Sequence, residues 1–123
     1  MDAEELKSRT RQFGLRVIKL IDALPSSRTS SVIGRQLLRS GTSVGANYRS
    51  ACRARSKPDF ISKLGVAIEE ADESLYWMEM LVDAKMIPAD KLNPLMKEAH
   101  DIVAILTASA KTARTRLKAK RPA

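Results

Sequence analysis

The chain of 123 residues has one cysteine, one histidine and few aromatic side chains, which make up 4% of its residues. Because Cys52 is alone, no disulfide can form within the chain, and this fits a reducing compartment. No apolar run approaches the roughly 20 residues that a membrane span needs. The N-terminal segment is acidic and mixed, unlike a signal peptide. We therefore expect a cytoplasmic protein that does not associate with membranes.

Patterns typical of catalytic and metal sites are also missing. His100 has Glu98 and Asp101 nearby, but not the Glu-x-x-His spacing of di-iron bundles. Glu69 and Glu73 are four residues apart and could hold a divalent cation, but a solvated helix face explains them more simply. No segment reads as a strand, so there is no strand-to-helix junction for a glycine-rich phosphate loop. We expect no enzymatic activity, no metal site and no cofactor.

Acidic residues are absent from residues 25–57, which contain seven basic ones. Residues 58–87 contain seven acidic and two basic residues, and residues 111–123 contain six basic and no acidic ones. The net charge of +8 is therefore concentrated in a central segment and a C-terminal segment. Concentrated positive charge attracts polyanions such as nucleic acid. The alternative is that the basic and acidic segments neutralise each other within one assembly.

Proline and short polar stretches divide the sequence into four long segments with apolar residues at helical spacing. The dividing points are Pro25, residues 56–59 and Pro88, and no segment alternates with the two-residue period of a strand. We predict an all-α protein with helices at about 3–24, 30–55, 58–85 and 89–117. Residues 1–117 are expected to form an antiparallel up-down-up-down four-helix bundle, followed by a basic tail at 118–123.

Two helix starts can be examined from local signals. Ser56 and Asp59 have capping-box spacing, and Pro58 is tolerated in a first turn. Pro94 must lie in the first turn of the fourth helix, or it would kink that helix. If Asn93 is instead the N-cap, the fourth helix begins at residue 94.

The second predicted helix is sharply amphipathic. At 100° per residue, its basic residues fall within about 80° of one another, opposite its apolar residues. The basic set is Arg35, Arg39, Arg49, Arg53 and Lys57. The apolar set is Ile33, Leu37, Val44, Tyr48 and Ala51. Like charges four residues apart destabilise a helix, whereas the planar fork of arginine matches phosphate, so the stripe favours phosphate binding.

The third predicted helix offers another partner for this stripe. Its own acidic side chains also share one side, and they are Glu69, Asp72, Glu73, Glu79 and Asp83. The two stripes would then pair within one bundle or between subunits. The scarcity of aromatic residues argues against base stacking, so any contact with nucleic acid should be made mostly to backbone phosphate.

Small residues interrupt the middle of the second helix at positions 40–46, including Gly41 and Gly45. Each glycine inside a helix costs about 1 kcal/mol relative to alanine. The favoured explanation is close approach of another helix, and the alternative is a backbone contact to a ligand.

Residues 36–81 carry a pattern that resembles the four-helix-bundle proteins first noted in intervening sequences of large-subunit ribosomal RNA genes. The first part of the pattern is matched by Gln36, Leu37, Arg39, Ser43, Val44 and Asn47. The second part is matched by Phe60, Leu64, Ala67, Glu70 and Leu75. Where the family commonly has Ile-Ala-Glu-Gly after the asparagine, this chain has a more basic Tyr-Arg-Ser-Ala at residues 48–51. A role that depends on that glutamate is therefore not carried over.

The resemblance implies an antiparallel four-helix bundle and a ring-like homo-oligomer, since relatives form pentamers. Distant relatives are accessory proteins of diversity-generating retroelements, which bind a reverse transcriptase and nucleic acid through a basic surface. The resemblance therefore implies RNA or a reverse-transcriptase-type protein as a partner.

Two functional hypotheses follow. In the first, the basic stripe of the second helix contacts phosphates of RNA or of a nucleic acid–protein complex. It would be helped by the C-terminal bases Lys111, Arg114, Arg116, Lys118, Lys120 and Arg121. In the second, the chain is a structural homo-oligomer that holds a protein partner, with the basic stripe paired to the acidic residues of the third helix.

Overall fold

The computed structural model describes residues 1–119, which form four helices and no strand. The helices are α1 (Ala3–Asp22), α2 (Arg28–Cys52), α3 (Lys57–Asp83) and α4 (Ala89–Ala119). α1 packs on α2, α2 on α3 and α3 on α4, with a much smaller contact between α1 and α4. The predicted all-α, four-helix bundle is thus confirmed. Within the described chain, no helix is both long and apolar enough to cross a membrane.

The predicted tail, residues 118–123, falls on two parts of the chain. Residues 118 and 119 continue α4. The other four residues, 120–123, lie outside the described part of the chain, and Lys120 and Arg121 are among them.

Serine side chains determine where two of the helices begin. The Ser27 hydroxyl accepts a hydrogen bond from the Ser30 N–H at 3.0 Å, and α2 begins two residues before the predicted start. The Ser56 hydroxyl accepts from the Asp59 N–H at 3.2 Å, as the capping spacing predicted. Pro58 lies in the first turn of α3, where its missing N–H needs no partner.

α2 ends earlier than its apolar pattern suggested. Arg53 is the C-cap, with φ −103° and ψ 12°, so the helix stops at Cys52 and not near residue 55. The chain then turns so that Ser56 can cap the next helix. Lys57 is therefore the first residue of α3. It does not extend the outer face of α2, as the helical wheel had assumed.

α4 begins at Ala89, so Asn93 is not its N-cap. Pro94 lies in the second turn, and the expectation that it must occupy the first turn is wrong. Because proline has no N–H, the helix forgoes the hydrogen bond to the carbonyl of Asp90. Asp90 is exposed, so water can hydrate that carbonyl.

The core follows the predicted helical spacing closely along α2, where Leu37 and Val44 are fully buried and Tyr48 is 5% exposed. Two buried residues of α3, Ser74 and Leu81, were not predicted to face the core. The Ser74 hydroxyl lies 2.9 Å from the buried Ser40 hydroxyl of α2. A polar pair therefore links α2 and α3 inside the bundle.

The small residues of α2 pack directly against α1. A Cβ atom on Gly41 would lie 2.8 Å from Cγ2 of Val17, closer than non-bonded carbon atoms approach. One on Gly45 would lie 3.3 Å from backbone atoms of Thr10 and Arg11. These glycines allow the two helices to approach closely, so the packing explanation for residues 40–46 is confirmed.

A single ion-pair cluster connects α1 with α4 in the described chain. Arg9 donates two hydrogen bonds to the carboxylate of Glu98, at 2.8 and 2.7 Å, and lies 3.6 Å from Asp101. The hydrogen bonds to Glu98 raise the pKa of Arg9. This bidentate pair closes the bundle where the helices themselves contact each other least.

Candidate nucleic-acid interface

The outer face of α2 carries three of the predicted arginines. Arg35, Arg39 and Arg49 are all exposed, and Arg53 is exposed at the C-cap. The face opposite is the buried apolar seam. The amphipathic reading of α2 is therefore correct for these four residues, whereas Lys57 lies beyond the turn.

Arg39 differs from the other arginines because α3 already provides its partners. Its guanidinium donates to Glu70 Oε2 at 3.0 Å and also hydrogen-bonds to Glu73. The hydrogen bond to Glu73 raises the pKa of Arg39. The indole N–H of Trp77, which donates to Glu73 at 3.1 Å, lowers the pKa of Glu73, and Arg39 lowers it further. At Arg39, the basic stripe is neutralised within the chain.

The remaining predicted cations have no such partners. Among residues 1–119, no carboxylate lies within ion-pair distance of Arg35, Arg49, Arg53 or Lys57. Exposed cations without nearby carboxylates keep their full charge for an anionic ligand.

The fold brings the two basic segments of the sequence together at one end of the bundle. Lys57, at the start of α3, lines the same surface groove as Arg116 near the end of α4. Beside it, Pro58 shares a second groove with Arg114 and Lys118. We call this surface the basic end. It comprises Arg49, Arg53, Arg55, Lys57, Arg114, Arg116 and Lys118.

Sequence reasoning missed the contribution of α1 to the positive surface. A groove of about 550 Å³ runs between the outer sides of α1 and α2, and Arg11 lines it together with Arg49. Arg11 was overlooked because α1 has mixed charge overall. The sequence could have indicated its position, because Arg11 lies four residues before Leu15 and seven before Ile18. These spacings place all three on one side of a helix, and all three line the groove.

Residues that resemble reactive groups are not brought together. His100 is exposed, and no group of three potential metal ligands occurs in the described residues. Cys52 is half-buried beside Tyr48, whose pKa is raised by burial and by this neighbour. Glu73 is engaged with Trp77 and so does not form a site with Glu69.

Comparisons with known proteins agree with this architecture. No curated protein of known annotation matches the chain. A crystal structure of a protein of unknown function from the S23 ribosomal protein family of Bacteroides thetaiotaomicron superposes with a TM-score of 0.84. It is 34% identical, and the match covers 90% of this chain and 99% of the other. Residues 4–108 match the sequence model of the 23S rRNA-intervening sequence proteins. The chain therefore belongs to the 23S rRNA-intervening sequence protein family.

Proposed function

We propose that this chain is a non-catalytic protein that binds the phosphates of RNA, or of an RNA–protein complex, at its basic end. The observation that carries the proposal is that Lys57 of α3 and Arg116 of α4 line one groove, close to the turn that carries Arg53. Among residues 1–119, no carboxylate lies within ion-pair distance of these three, although Met1 places the acidic start of α1 beside the groove. Such a surface attracts a polyanion from solution and contacts several phosphates at once. The family name refers to 23S rRNA, which makes structured RNA the first ligand to test.

The predicted α2 residues contribute unequally to this surface. Arg49 and Arg53 lie at the basic end, with Lys57 next to them across the turn. Arg35 lies more than three helical turns from Arg49 and would contact a ligand only along the length of α2. Arg39 contributes least, because two carboxylates already occupy its guanidinium.

The contacts we propose are to the nucleic-acid backbone. Tyr48 is buried, and Tyr76 and Trp77 lie on α3 among acidic residues, away from the basic end. Phe60 lines the groove of Lys57 and Arg116, but it is half-buried against the core. Base stacking needs exposed rings among cations. Binding through phosphates alone should depend strongly on salt and little on sequence.

The second candidate function is that of a structural homo-oligomer, in a cytoplasmic setting, that holds a protein partner. It is favoured by exposed apolar side chains such as Leu15 and Tyr76, because contact with another protein would remove this apolar surface from water. The pentamer implied by the family resemblance is part of this proposal. The up-down-up-down topology is also part of this proposal. It is supported by the contacts of Gly41 with Val17 and of Gly45 with Thr10, because residue numbers rise along α2 as they fall along α1.

Fluorescence anisotropy with a double-helical RNA hairpin tests the first proposal. The variant Arg53→Gln/Lys57→Gln/Arg116→Gln removes three charges from the basic end. We expect its affinity to fall by about tenfold or more, because several phosphate contacts are lost. The slope of log affinity against log salt, measured between about 50 and 200 mM, should become shallower by about two to three.

A matched control removes the same charge elsewhere. Arg16, Lys19 and Lys91 are exposed and lie away from the basic end, so Arg16→Gln/Lys19→Gln/Lys91→Gln should retain most of the affinity. If both variants lose the same affinity for RNA, the loss follows from the lower net charge, and this would contradict a localised site. Affinity that does not respond to salt would contradict phosphate binding altogether.

A further inference from the structure

The large apolar side chains that remain exposed are concentrated on two faces of the bundle. Leu15, Ile18 and Leu38 lie on the outer side of α1 and α2, with Leu15 46% exposed. The other face is on α3, where Tyr76 is 52% exposed. α4 carries no large exposed apolar side chain along its described length, although it is the longest helix. Among the described residues, six of the eight large exposed apolar side chains lie on these two faces, and Met1 and Val32 are the other two. This concentration indicates surfaces that become covered.

The first face is concave. The groove that Arg11, Leu15 and Ile18 line is continued, one turn further along α2, by a second depression of about 560 Å³ that contains Arg35 and Leu38. The α2 glycines bring the two helices close together and leave no large side chains to fill the space above them. We call this surface the α1–α2 groove, defined by Arg11, Leu15, Ile18, Arg35 and Leu38.

The second face is convex and acidic. Every exposed residue of α3 from Val66 to Asp83 is apolar, aromatic or acidic. These residues form the α3 outer face, namely Val66, Glu69, Asp72, Tyr76, Glu79, Met80 and Asp83. The ring of Tyr76 is held edge-on against Trp77, with centroids 5.1 Å apart. In the described chain, none of the four carboxylates of the α3 outer face lies within ion-pair distance of a basic side chain.

We propose that the α3 outer face of one copy of this chain docks into the α1–α2 groove of the next copy. The proposal deepens the self-association proposed above by naming its two surfaces. The groove has an excess of basic residues, because Lys7, Arg11, Arg35 and Arg49 outnumber Glu4 and Asp22 in its lining. Docking of the acidic, apolar ridge there buries apolar surface and pairs opposite charges. The dimensions are similar: Val66 to Asp83 spans about 25 Å along α3, and Arg35 to Arg49 spans about 21 Å along α2.

Because the two surfaces differ, each copy offers one of each kind. Such a contact is head-to-tail, and it builds a ring or an open chain of subunits and not a two-fold dimer. It leaves Arg53 and Arg116 of the basic end outside the contact, whereas Arg49 borders both surfaces. Assembly and phosphate binding are therefore separable by substitution.

Charge reversal of each face provides the test. The groove variant is Arg11→Glu/Arg35→Glu, and the ridge variant is Asp72→Arg/Glu79→Arg. Analytical ultracentrifugation of the wild-type chain should give a mass above that of one subunit. Each variant alone should sediment as a monomer, because like charges then face each other at every contact. A chain that carries all four substitutions should recover the large species, because each reversed groove then meets a reversed ridge at every contact.

Control variants carry the same changes at exposed sites on neither face. Arg16→Glu/Lys91→Glu and Glu5→Arg/Asp90→Arg should keep the wild-type mass. Circular dichroism should show the same helix content for all variants, since every altered side chain is exposed. A variant that loses helix content is replaced by the neutral Arg11→Gln/Arg35→Gln or Asp72→Asn/Glu79→Gln.

The contrary outcomes are distinct. A monomeric wild-type chain would overturn both the two surfaces and self-association itself. An oligomeric wild type whose mass survives both reversals would overturn the surfaces and leave self-association standing. If the chain with all four substitutions stays monomeric like the single-face variants, the pairing of these two faces with each other is overturned.

Discussion

α2 meets its two neighbours by different physical means. Towards α1 it presents Gly41 and Gly45, so the helix backbones approach closely and the contact is dominated by van der Waals packing. Towards α3 it presents Ser40 and Arg39, which hydrogen-bond to Ser74 and to two glutamates. The first contact depends on steric fit, and the second on matched polar groups.

The same difference decides which arginines are available to a ligand. On the α3 side, Arg39 is neutralised by Glu70 and Glu73. On the α1 side, Asp22 and Glu4 line the same depressions as Arg35 and Arg49, but within residues 1–119 neither arginine forms an ion pair. A side of a helix that packs through glycine can thus keep its flanking charges for another molecule.

The largest effect is expected from breaking the steric contact. In Gly41→Ala, the new Cβ would lie 2.8 and 2.9 Å from the two methyl carbons of Val17, which is buried and stiff at χ1. Overpacking of this kind costs about 1–3 kcal/mol, and the better helix propensity of alanine offsets up to about 1 kcal/mol. Urea denaturation should show a net loss of about 1–2 kcal/mol in the free energy of unfolding.

The control for this substitution is Gly65→Ala in α3. A Cβ on Gly65 would meet no atom within 4 Å, so only the propensity gain remains. We expect the free energy of unfolding to rise by about 0.5–1 kcal/mol. If both substitutions shift stability in the same direction, steric fit does not explain the α1–α2 contact.

A smaller effect is expected from the polar contact with α3. Ser74→Ala leaves the buried Ser40 hydroxyl with only the Leu37 carbonyl, 3.3 Å away, and should cost about 1 kcal/mol. Removing both hydroxyls in Ser40→Ala/Ser74→Ala leaves no group without its partner. The double variant should therefore lose less than the sum of the two single variants, by about 0.5–1 kcal/mol in a double-mutant cycle. Strict additivity would mean that the two hydroxyls do not interact.

The smallest effect concerns the pH dependence of the charged part of that contact. Because the pKa of Glu73 is lowered by Trp77 and Arg39, its stabilisation is present above the ordinary value of 4.5 and lost as the pH falls below it. In Trp77→Phe, the pKa of Glu73 should rise towards 4.5, and the loss of stability on acidification should become smaller.

An NMR titration of the side-chain carboxyl carbon of Glu73 measures this directly. Arg39→Gln should also raise this pKa, because it removes a hydrogen bond and a positive charge from Glu73. If the pKa of Glu73 is unchanged in both variants, Glu73 does not interact with Trp77 and Arg39 as described. The polar contact between α2 and α3 would then rest on Ser40 and Ser74.

Helix identity and burial could be read from the sequence because both follow from local spacing. The seam of Leu37, Val44 and Tyr48 repeats at intervals that place its members on one side of a helix, and all three are buried. The capping interaction of Ser56 with Asp59 is equally local. These features depend on residues within a few positions of one another.

Features that depend on how two helices align could not be read in this way. The predicted acidic stripe included Glu73 but not Glu70, yet Arg39 hydrogen-bonds to both. This pairing depends on the position of α2 along the length of α3, which local spacing does not determine. Ser74 is buried although serine usually signals exposure, since its partner Ser40 is distant in sequence. Lys57 was assigned to the wrong helix because the turn after Cys52 contains no glycine to mark it.

The bidentate pair between Arg9 and Glu98 has a consequence for motion. α1 contacts α2 extensively but α4 only slightly, so opening at this junction breaks fewer contacts than opening between any other neighbouring helices. Amide hydrogens of α1 should therefore exchange faster than those of α3. Since α1 forms one wall of the α1–α2 groove, a second copy docked there would slow this exchange, and the protection of α1 amides would then rise with protein concentration.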